Sequence, residues 1–235
     1  VFSFLGPIHL WVTSTDLGGR IALETHQKLL APGRQRLKRC LDLFFSGLFL
    51  IPALPLGLIL ALLIKCEDNG PVFYRQQRLG RHGRSISILK FRTMVPHADK
   101  ILKEHLSADP DLAEEWAACQ KLQRDPRITK IGAFIRRTSL DELPQLWNVL
   151  TGELSLVGPR PIVTDEIIKY GDAYDLYRRV RPGLTGLWQV SGRSNLSYDM
   201  RVRLDTYYIR NWSVWFDIYI LARTPGALLQ TKNAV

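Results

Sequence analysis

In the stretch Arg136–Pro161, RRTSLDELPQLWNVLTGELSLVGPRP, two arginines lead into the adjacent carboxylates Asp141 and Glu142. A short apolar segment follows, and the stretch closes on Gly158-Pro159-Arg160-Pro161. Two carboxylates bracketed by fixed cations suit chemistry on a phosphoryl group. Cations neutralise phosphate oxygens, while a carboxylate attacks phosphorus or holds a divalent metal. The same letters also describe a helix start. Ser139 and Glu142 supply the S-x-x-E of a capping box, Pro144 falls at the edge of the first turn, and Gly152 can stop the helix. A cap accounts for Glu142. It leaves unexplained the arginines on both sides and the setting of Arg160 between two prolines.

A chain of 235 residues makes one sizeable domain, or one domain with appendages. Its 32 basic against 22 acidic residues give a net charge of +10. That excess points to a polyanionic partner: nucleic acid, an anionic membrane surface, or a phosphorylated substrate. No helix-turn-helix, zinc-finger or RNA-recognition signature accompanies the charge, so no nucleic-acid partner is expected. Walker and GxGxxG loops are missing too. Cys40, Cys66 and Cys119 share no metal-ligand spacing, and reduced thiols facing a cytoplasm are the default. Five histidines show no HExxH or paired arrangement. Residues 1–33 have weak periodicity and no signal-peptide layout, and are expected to be a tail or linker from an upstream region.

Upstream of the central stretch, the basic cluster RQRLKR (34–39) precedes LDLFFSGLFLIPALPLGLILALLI, Leu41 to Ile64, whose only charge is Asp42. At ~1.5 Å per residue this segment is long enough to cross ~30 Å of hydrocarbon. Pro52 and Pro55 sit at its middle, where each removes a backbone hydrogen bond and clashes with the preceding turn. Arg34, Arg36, Lys38 and Arg39 flank one end; Lys65, Arg75, Arg78, Arg81 and Arg84 flank the other. A spanning helix keeps its basic flank on one side only. The segment, residues 34–66, is therefore expected to enter the membrane, break at Pro52 and Pro55, and return.

Between Asn69 and Ala98 there are six arginines and lysines and no acidic residue. PVFYRQQRLG and RSISILKFRTM alternate as two strands of a hairpin with a strongly positive face. The outer arginines suit either substrate or anionic lipid headgroups. Lys90 and Arg92 alternate with Leu89 and Phe91, which predicts that both point away from the core, towards substrate. Residues 97–123 have a helical pattern, with Leu102, Leu106, Leu112, Trp116 and Leu122 as packing positions. Downstream, a helix is expected over about 162–177. A strand-like run then lies between the turn signals Pro182-Gly183 and Ser191-Gly192, bracketed by Arg181 and Arg193. The aromatic C-terminal run, Leu204 to Leu229, fits a helix in the headgroup region or a core-packed one.

Taken together, KRCLDL, a central proline, GPVFYRQQRLGRHG, LKFRTM, RRTSLDELPQLWNVLTGELSLVGPRP, VRPGLTGLWQVSGR and LDTYYIRNWSVWFDI cover most of the chain, from about Leu37 to Leu229. In this order the blocks resemble the bacterial sugar transferases, monotopic phosphoglycosyl transferases acting on polyprenyl phosphate. The closest likeness is to the larger members that start O-antigen or exopolysaccharide assembly. The resemblance implies an α/β fold: a compact catalytic domain (67–235) bound to one leaflet by a re-entrant helix-break-helix and amphipathic interfacial helices. It implies transfer of a sugar 1-phosphate, galactose or glucose favoured, from a UDP-sugar to undecaprenyl phosphate with release of UMP. It places the work at the cytoplasmic face of the bacterial inner membrane, with a homodimer as a further expectation.

Residue by residue, the resemblance makes Asp141 the nucleophile and a ligand of Mg²⁺, and Glu142 a base for the incoming lipid phosphate. Lys90, Arg136, Arg160 and Arg193 become the phosphate-binding residues. One departure concerns the membrane segment. Small members often have a serine before the hairpin proline, whereas Leu54 precedes Pro55 here and Pro52 is additional. The alternative from another class is a noncatalytic membrane scaffold with a basic lipid-binding face, in which Asp141 and Glu142 only cap a helix.

Overall fold

The computed structural model describes residues 12–16, 21–25, 27–119, 122, 125–192 and 195–229. A first antiparallel pair, β1 (Val12–Asp16) and β2 (Ile21–Thr25), precedes the long helix α1 (Pro32–Glu67). Pro32 sits in the first turn of α1, where no backbone N–H is needed. With 36 residues α1 is about 54 Å long. It is also apolar enough to cross a membrane.

Its buried residues are Lys38, Asp42, Ser46, Ala53, Leu60 and Ile64. At ~100° per residue these fall within an arc of about 80°. One narrow stripe therefore faces the domain along the whole helix. Much of the middle of the helix outside the stripe, including Phe44, Leu48, Ile51, Leu54, Leu58 and Leu62, is exposed and apolar.

Both ends of α1 are tied to the same domain. Near its start, Lys38 Nζ lies 2.7 Å from Asp217 Oδ2. One turn on, Asp42 accepts hydrogen bonds from Ser155 Oγ at 2.8 Å and the Leu156 N–H at 3.1 Å. Towards the other end, Leu60 and Ile64 join Phe91 and Ile135 in a buried cluster. Glu67 accepts from the Ile131 N–H at 3.2 Å, and Asp68 pairs with Arg92.

The break expected at Pro52 and Pro55 is not seen as an interruption: both lie inside one continuous helical element. Proline keeps a helical φ and deletes one hydrogen bond, and the buried stripe on either side holds the segment in place.

Strands β3 (Phe73–Leu79) and β4 (Ser85–Phe91) form the expected antiparallel hairpin. The register pairs Tyr74 with Lys90 and Arg78 with Ile86. The facing expected for Lys90 and Arg92 needs correction. Lys90 shares a strand face with the buried Ile86 and Ile88, so it points inward at the end of the core. Arg92 is buried and paired with Asp68, with no substrate-facing position. Alternation misleads here because β4 is packed on both faces: Ile86 and Ile88 on the main core, Phe91 on α1.

The helical region after the hairpin divides into α2 (Ala98–Ala108) and α3 (Pro110–Cys119), with Leu102 and Leu122 buried. Next come α4 (Lys130–Arg137), capped by Thr129 on the Gly132 N–H at 2.9 Å, α5 (Gln145–Thr151) and β5 (Ser155–Val157). The single helix expected over about 162–177 is instead α6 (Ile167–Tyr170) and α7 (Tyr174–Tyr177), divided at Gly171, whose φ is 50°.

The next run becomes a short strand, β6 (Gly183–Thr185), followed by a helix, α8 (Leu187–Ser191), rather than strand throughout. Two helices finish the described chain, α9 (Tyr198–Asn211) and α10 (Val214–Leu229). Their aromatics divide between the two expected roles. Tyr208 and Trp212 are core, while Trp215 and Tyr219 are exposed.

The fold is thus a mixture of helix and strand, dominated by helix. Among the described residues the strands form three separate two-stranded sheets, of which only β5–β6 is parallel.

Candidate active site

Asp141 and Glu142 lie on a single 3₁₀ turn, Leu140–Glu142, between α4 and α5. Ser139, just before it, has φ 55° and ψ 23° and makes no side-chain cap. The capping box is therefore not formed. A left-handed residue turns the chain sharply, and the two carboxylates meet Lys90 on the facing hairpin. Lys90 Nζ lies 3.0 Å from Glu142 Oε1 and 3.4 Å from Asp141 Oδ2. The carboxylate side chains retain 18% and 36% exposure for Asp141 and Glu142, so a ligand can reach both.

Burial pushes the Asp141 carboxyl above the usual carboxylate range, and the neighbouring Glu142 charge adds to the rise. Lys90 and, more weakly, Arg136 oppose it. Arg136 donates from Nε to Thr93 Oγ1 at 2.8 Å. Its pKa is lowered by burial against the pull of Asp141 and Asp125. It is a fixed cation beside the Asp141–Glu142 turn.

Asn148 sets this turn against the hairpin, and the sequence reading missed it. On the buried face of α5, its Oδ1 accepts the Leu89 N–H at 2.9 Å and its Nδ2 donates to the Ser87 carbonyl at 2.9 Å. The only signal was one amide inside the apolar run LWNVL. At the far end of α5, Arg39 donates to the Val149 and Leu150 carbonyls at 2.5 and 2.8 Å. A cation on exposed carbonyls at a helix C-terminus is favourable.

Arg160 is placed elsewhere. Its loop interlocks with β6: the Gly158 N–H donates to Thr185 O at 2.9 Å, and the Gly183 N–H to Pro159 O at 2.7 Å. A Cβ at Gly183 would collide with the Gly158 backbone, which explains both glycines. The exposed Arg160 guanidinium lies 5.8 Å from the centre of the Trp188 ring, and Arg201 lies 4.9 Å from the same ring. Arg78 is its neighbour in charge, its pKa lowered by burial and then by Arg160. Since Arg78 is four residues along the hairpin from the Tyr74–Lys90 pair, it stands roughly 14 Å from that pair. The structure therefore gathers Lys90, Arg136, Asp141 and Glu142 at one point, with Arg78 and Arg160 farther along the hairpin. Arg193 lies outside the described residues.

The donor set fits Mg²⁺. Two adjacent, partly exposed carboxylates leave positions for water and phosphate oxygens, as that ion prefers. No group of three or more acidic, His or Cys side chains able to cage a metal occurs among the described residues.

The sequence pattern of the bacterial sugar transferases matches residues 33–231. The chain belongs to this family. Among curated members, it is 50% identical over 234 residues to an undecaprenyl-phosphate galactose phosphotransferase of Salmonella typhimurium, covering 99% of this chain and 49% of that one. It is 47% identical over 197 residues to an exopolysaccharide production protein of Rhizobium meliloti, covering 84% and 87%. A UDP-glucose:undecaprenyl-phosphate glucose-1-phosphate transferase of Escherichia coli is 41% identical over 218 residues, covering 89% and 44%. The chain thus spans about half the length of the longer family members and most of the Rhizobium one.

Proposed function

We propose that this bacterial sugar transferase moves a hexose 1-phosphate, galactose or glucose, from a UDP-sugar to undecaprenyl phosphate, releasing UMP. The observation that carries the reading is Lys90 bridging Asp141 and Glu142 on a partly exposed turn, beside the fixed Arg136. A carboxylate oxygen of Asp141 attacks the sugar-bearing phosphorus. The bond to the UMP oxygen breaks, and UMP leaves with that electron pair. An oxygen of the lipid phosphate then attacks the same phosphorus, and the Asp141–phosphorus bond breaks. Glu142 takes the proton of the lipid phosphate. The carboxylate is regenerated, and the product is a diphosphate-linked lipid.

Lys90 and Arg136 orient and neutralise phosphoryl oxygens throughout, which is where most of the barrier lowering in such reactions arises. Arg78 and Arg160 hold charge farther along the hairpin. Asp141, with Glu142 beside it, would hold Mg²⁺, which supplies further neutralisation of the diphosphate when bound.

The acceptor is membrane-borne, and α1 suits that. Both of its ends are bonded to one domain, which supports both ends lying on the same side of the membrane. We place that leaflet at the cytoplasmic face of the inner membrane, with the exposed Trp215 and Tyr219 of α10 at headgroup level.

The test is UMP release from a panel of UDP-sugars with undecaprenyl phosphate, with and without Mg²⁺, for wild type and Asp141→Asn. Metal-dependent UMP from one donor, lost in the variant, is the expected result. Turnover that persists in Asp141→Asn would remove Asp141 as the nucleophile.

A further inference from the structure

A second concentration of cations lies at the other end of α5, away from the catalytic turn. With seven residues, α5 is about 10 Å long. Its N-terminal side leads back to Glu142. At its C-terminal end Arg39 and Arg181 meet around Gly152: Arg181 donates from Nε to the Gly152 carbonyl at 2.8 Å, and Arg39 packs against the same glycine.

Arg81, from the turn between β3 and β4, completes the group. It donates to Gln35 Oε1 at 2.6 Å and to the Arg179 carbonyl at 3.2 Å. Gln35, Lys38, Asp42, Arg81, Ser155 and Arg181 line a cleft between these elements. The carboxylate there is already taken, since Asp42 accepts from Ser155 and Leu156 and lies 3.5 Å from Lys38. Among the described residues no ion pair involves Arg39, Arg81 or Arg181. Burial lowers the Arg81 pKa, and the like charge of Arg181 acts in the same direction. Three guanidiniums are held together by carbonyls and an amide; the one carboxylate in reach, Asp42, is already paired with Lys38, so cationic charge is in excess.

We propose that Arg81 and Arg181, backed by Arg39, bind the phosphate of an anionic lipid headgroup. The position on α1 selects lipid over a free anion. Arg34 and Arg36 are exposed just before the cleft, and from Leu37 through Leu43 and Phe44 the exposed surface turns apolar. That change from basic to apolar is where a helix meets headgroups. The site needs only that α1 meets a membrane, and it stands whether or not the transfer reaction is the one proposed above.

The experiment follows thermal unfolding of the protein in a neutral detergent, titrated with short-chain phosphatidylglycerol, short-chain phosphatidylcholine or inorganic phosphate. Phosphatidylglycerol should raise Tm with the logarithm of its concentration, by about 4 °C at tenfold excess over Kd, and phosphatidylcholine should not. Arg81→Gln should abolish the rise. Arg84→Gln, which removes a charge from an exposed neighbour in the same turn, should keep it. If Arg81→Gln folds poorly, Arg181→Gln is read the same way. An equal rise in Arg81→Gln and wild type would overturn the proposal. So would an equal loss in Arg84→Gln, which means diffuse attraction, or a full rise from inorganic phosphate alone, which means a free-anion site.

Discussion

The side chain of Asn148 is built into the edge of β4, where its Oδ1 accepts the N–H of Leu89, the residue before Lys90, at 2.9 Å. Its Nδ2 reaches Ser87 O at 2.9 Å and Glu153 Oε2 at 2.6 Å. One amide therefore fixes α5, and the Asp141–Glu142 turn before it, relative to the strand that carries Lys90. Asn148→Ala leaves a part-buried N–H and a part-buried carbonyl without partners, at a cost of about 1 kcal/mol each. We expect Tm to fall by about 4–8 °C and turnover to fall beyond that expected from unfolding. Thermal melting alongside kcat of the folded fraction checks this. A lowered Tm with unchanged kcat would separate Asn148 from the placement of Lys90.

Lys90 also sets the pH at which Asp141 is ionised. Burial raises the Asp141 pKa, and Lys90 is the largest influence that lowers it. A nucleophilic carboxylate loses activity as pH falls through its folded pKa. Lys90→Met removes the lowering charge, so the acidic limb of the pH–kcat/KM profile should move to higher pH. Turnover at the optimum should drop by roughly 10²-fold, as for loss of one preorganised charge at a reacting centre. Lys90→Arg should keep the limb near its wild-type position. An acidic limb unmoved in Lys90→Met would assign it to another group.

Much of this architecture was legible because period carries information where one face is buried. The β3–β4 hairpin and the long apolar helix followed from alternation and length. Legibility failed where an element is packed on two sides or stopped by a local conformation. Lys90 was read onto the wrong face because β4 contacts the main core through Ile88 and α1 through Phe91. Pro52 and Pro55 announce a break that the tertiary contacts of Lys38 and Ile64 do not require. The adjacent carboxylates and the cations around them were visible in the sequence, but the placement of Arg160 beside Trp188 and Arg78 depends on a loop closing over β6. No local pattern encodes that closure.

Ser139 tests the two readings of the central stretch directly. As the start of a capping box, its hydroxyl would contribute about 1 kcal/mol, lost in Ser139→Ala, whereas glycine at a cap costs only a few tenths. The structure instead gives it φ 55° and no cap hydrogen bond. A left-handed residue with a Cβ costs roughly 1 kcal/mol that glycine avoids. Ser139→Gly should therefore match or exceed wild type in stability, by up to about 1 kcal/mol. Ser139→Ala should be within ~0.5 kcal/mol of wild type. Urea unfolding of the three proteins checks both, and a loss of about 1 kcal/mol in the alanine variant would restore the capping box.

Asp205 carries the sharpest pH dependence of the fold. It is buried in α9, with Oδ2 accepting the Tyr170 hydroxyl at 2.7 Å and Oδ1 without a partner. Burial raises its pKa to about 8, against the hydrogen bond from Tyr170 and the influence of Arg160. An unfolded aspartate titrates near ~3.9. Between these two values the folded protein holds a proton that the unfolded chain has released. Stability from this group is therefore full below about 4, declines as pH rises, and levels off above about 8. Asp205→Asn keeps an acceptor for Tyr170 and removes the charge. The variant should gain little at pH 5 and up to a few kcal/mol at pH 8, relative to wild type. Melting curves of both proteins at the two pH values decide it, since a difference that does not grow with pH would mean that Asp205 is ionised in the fold.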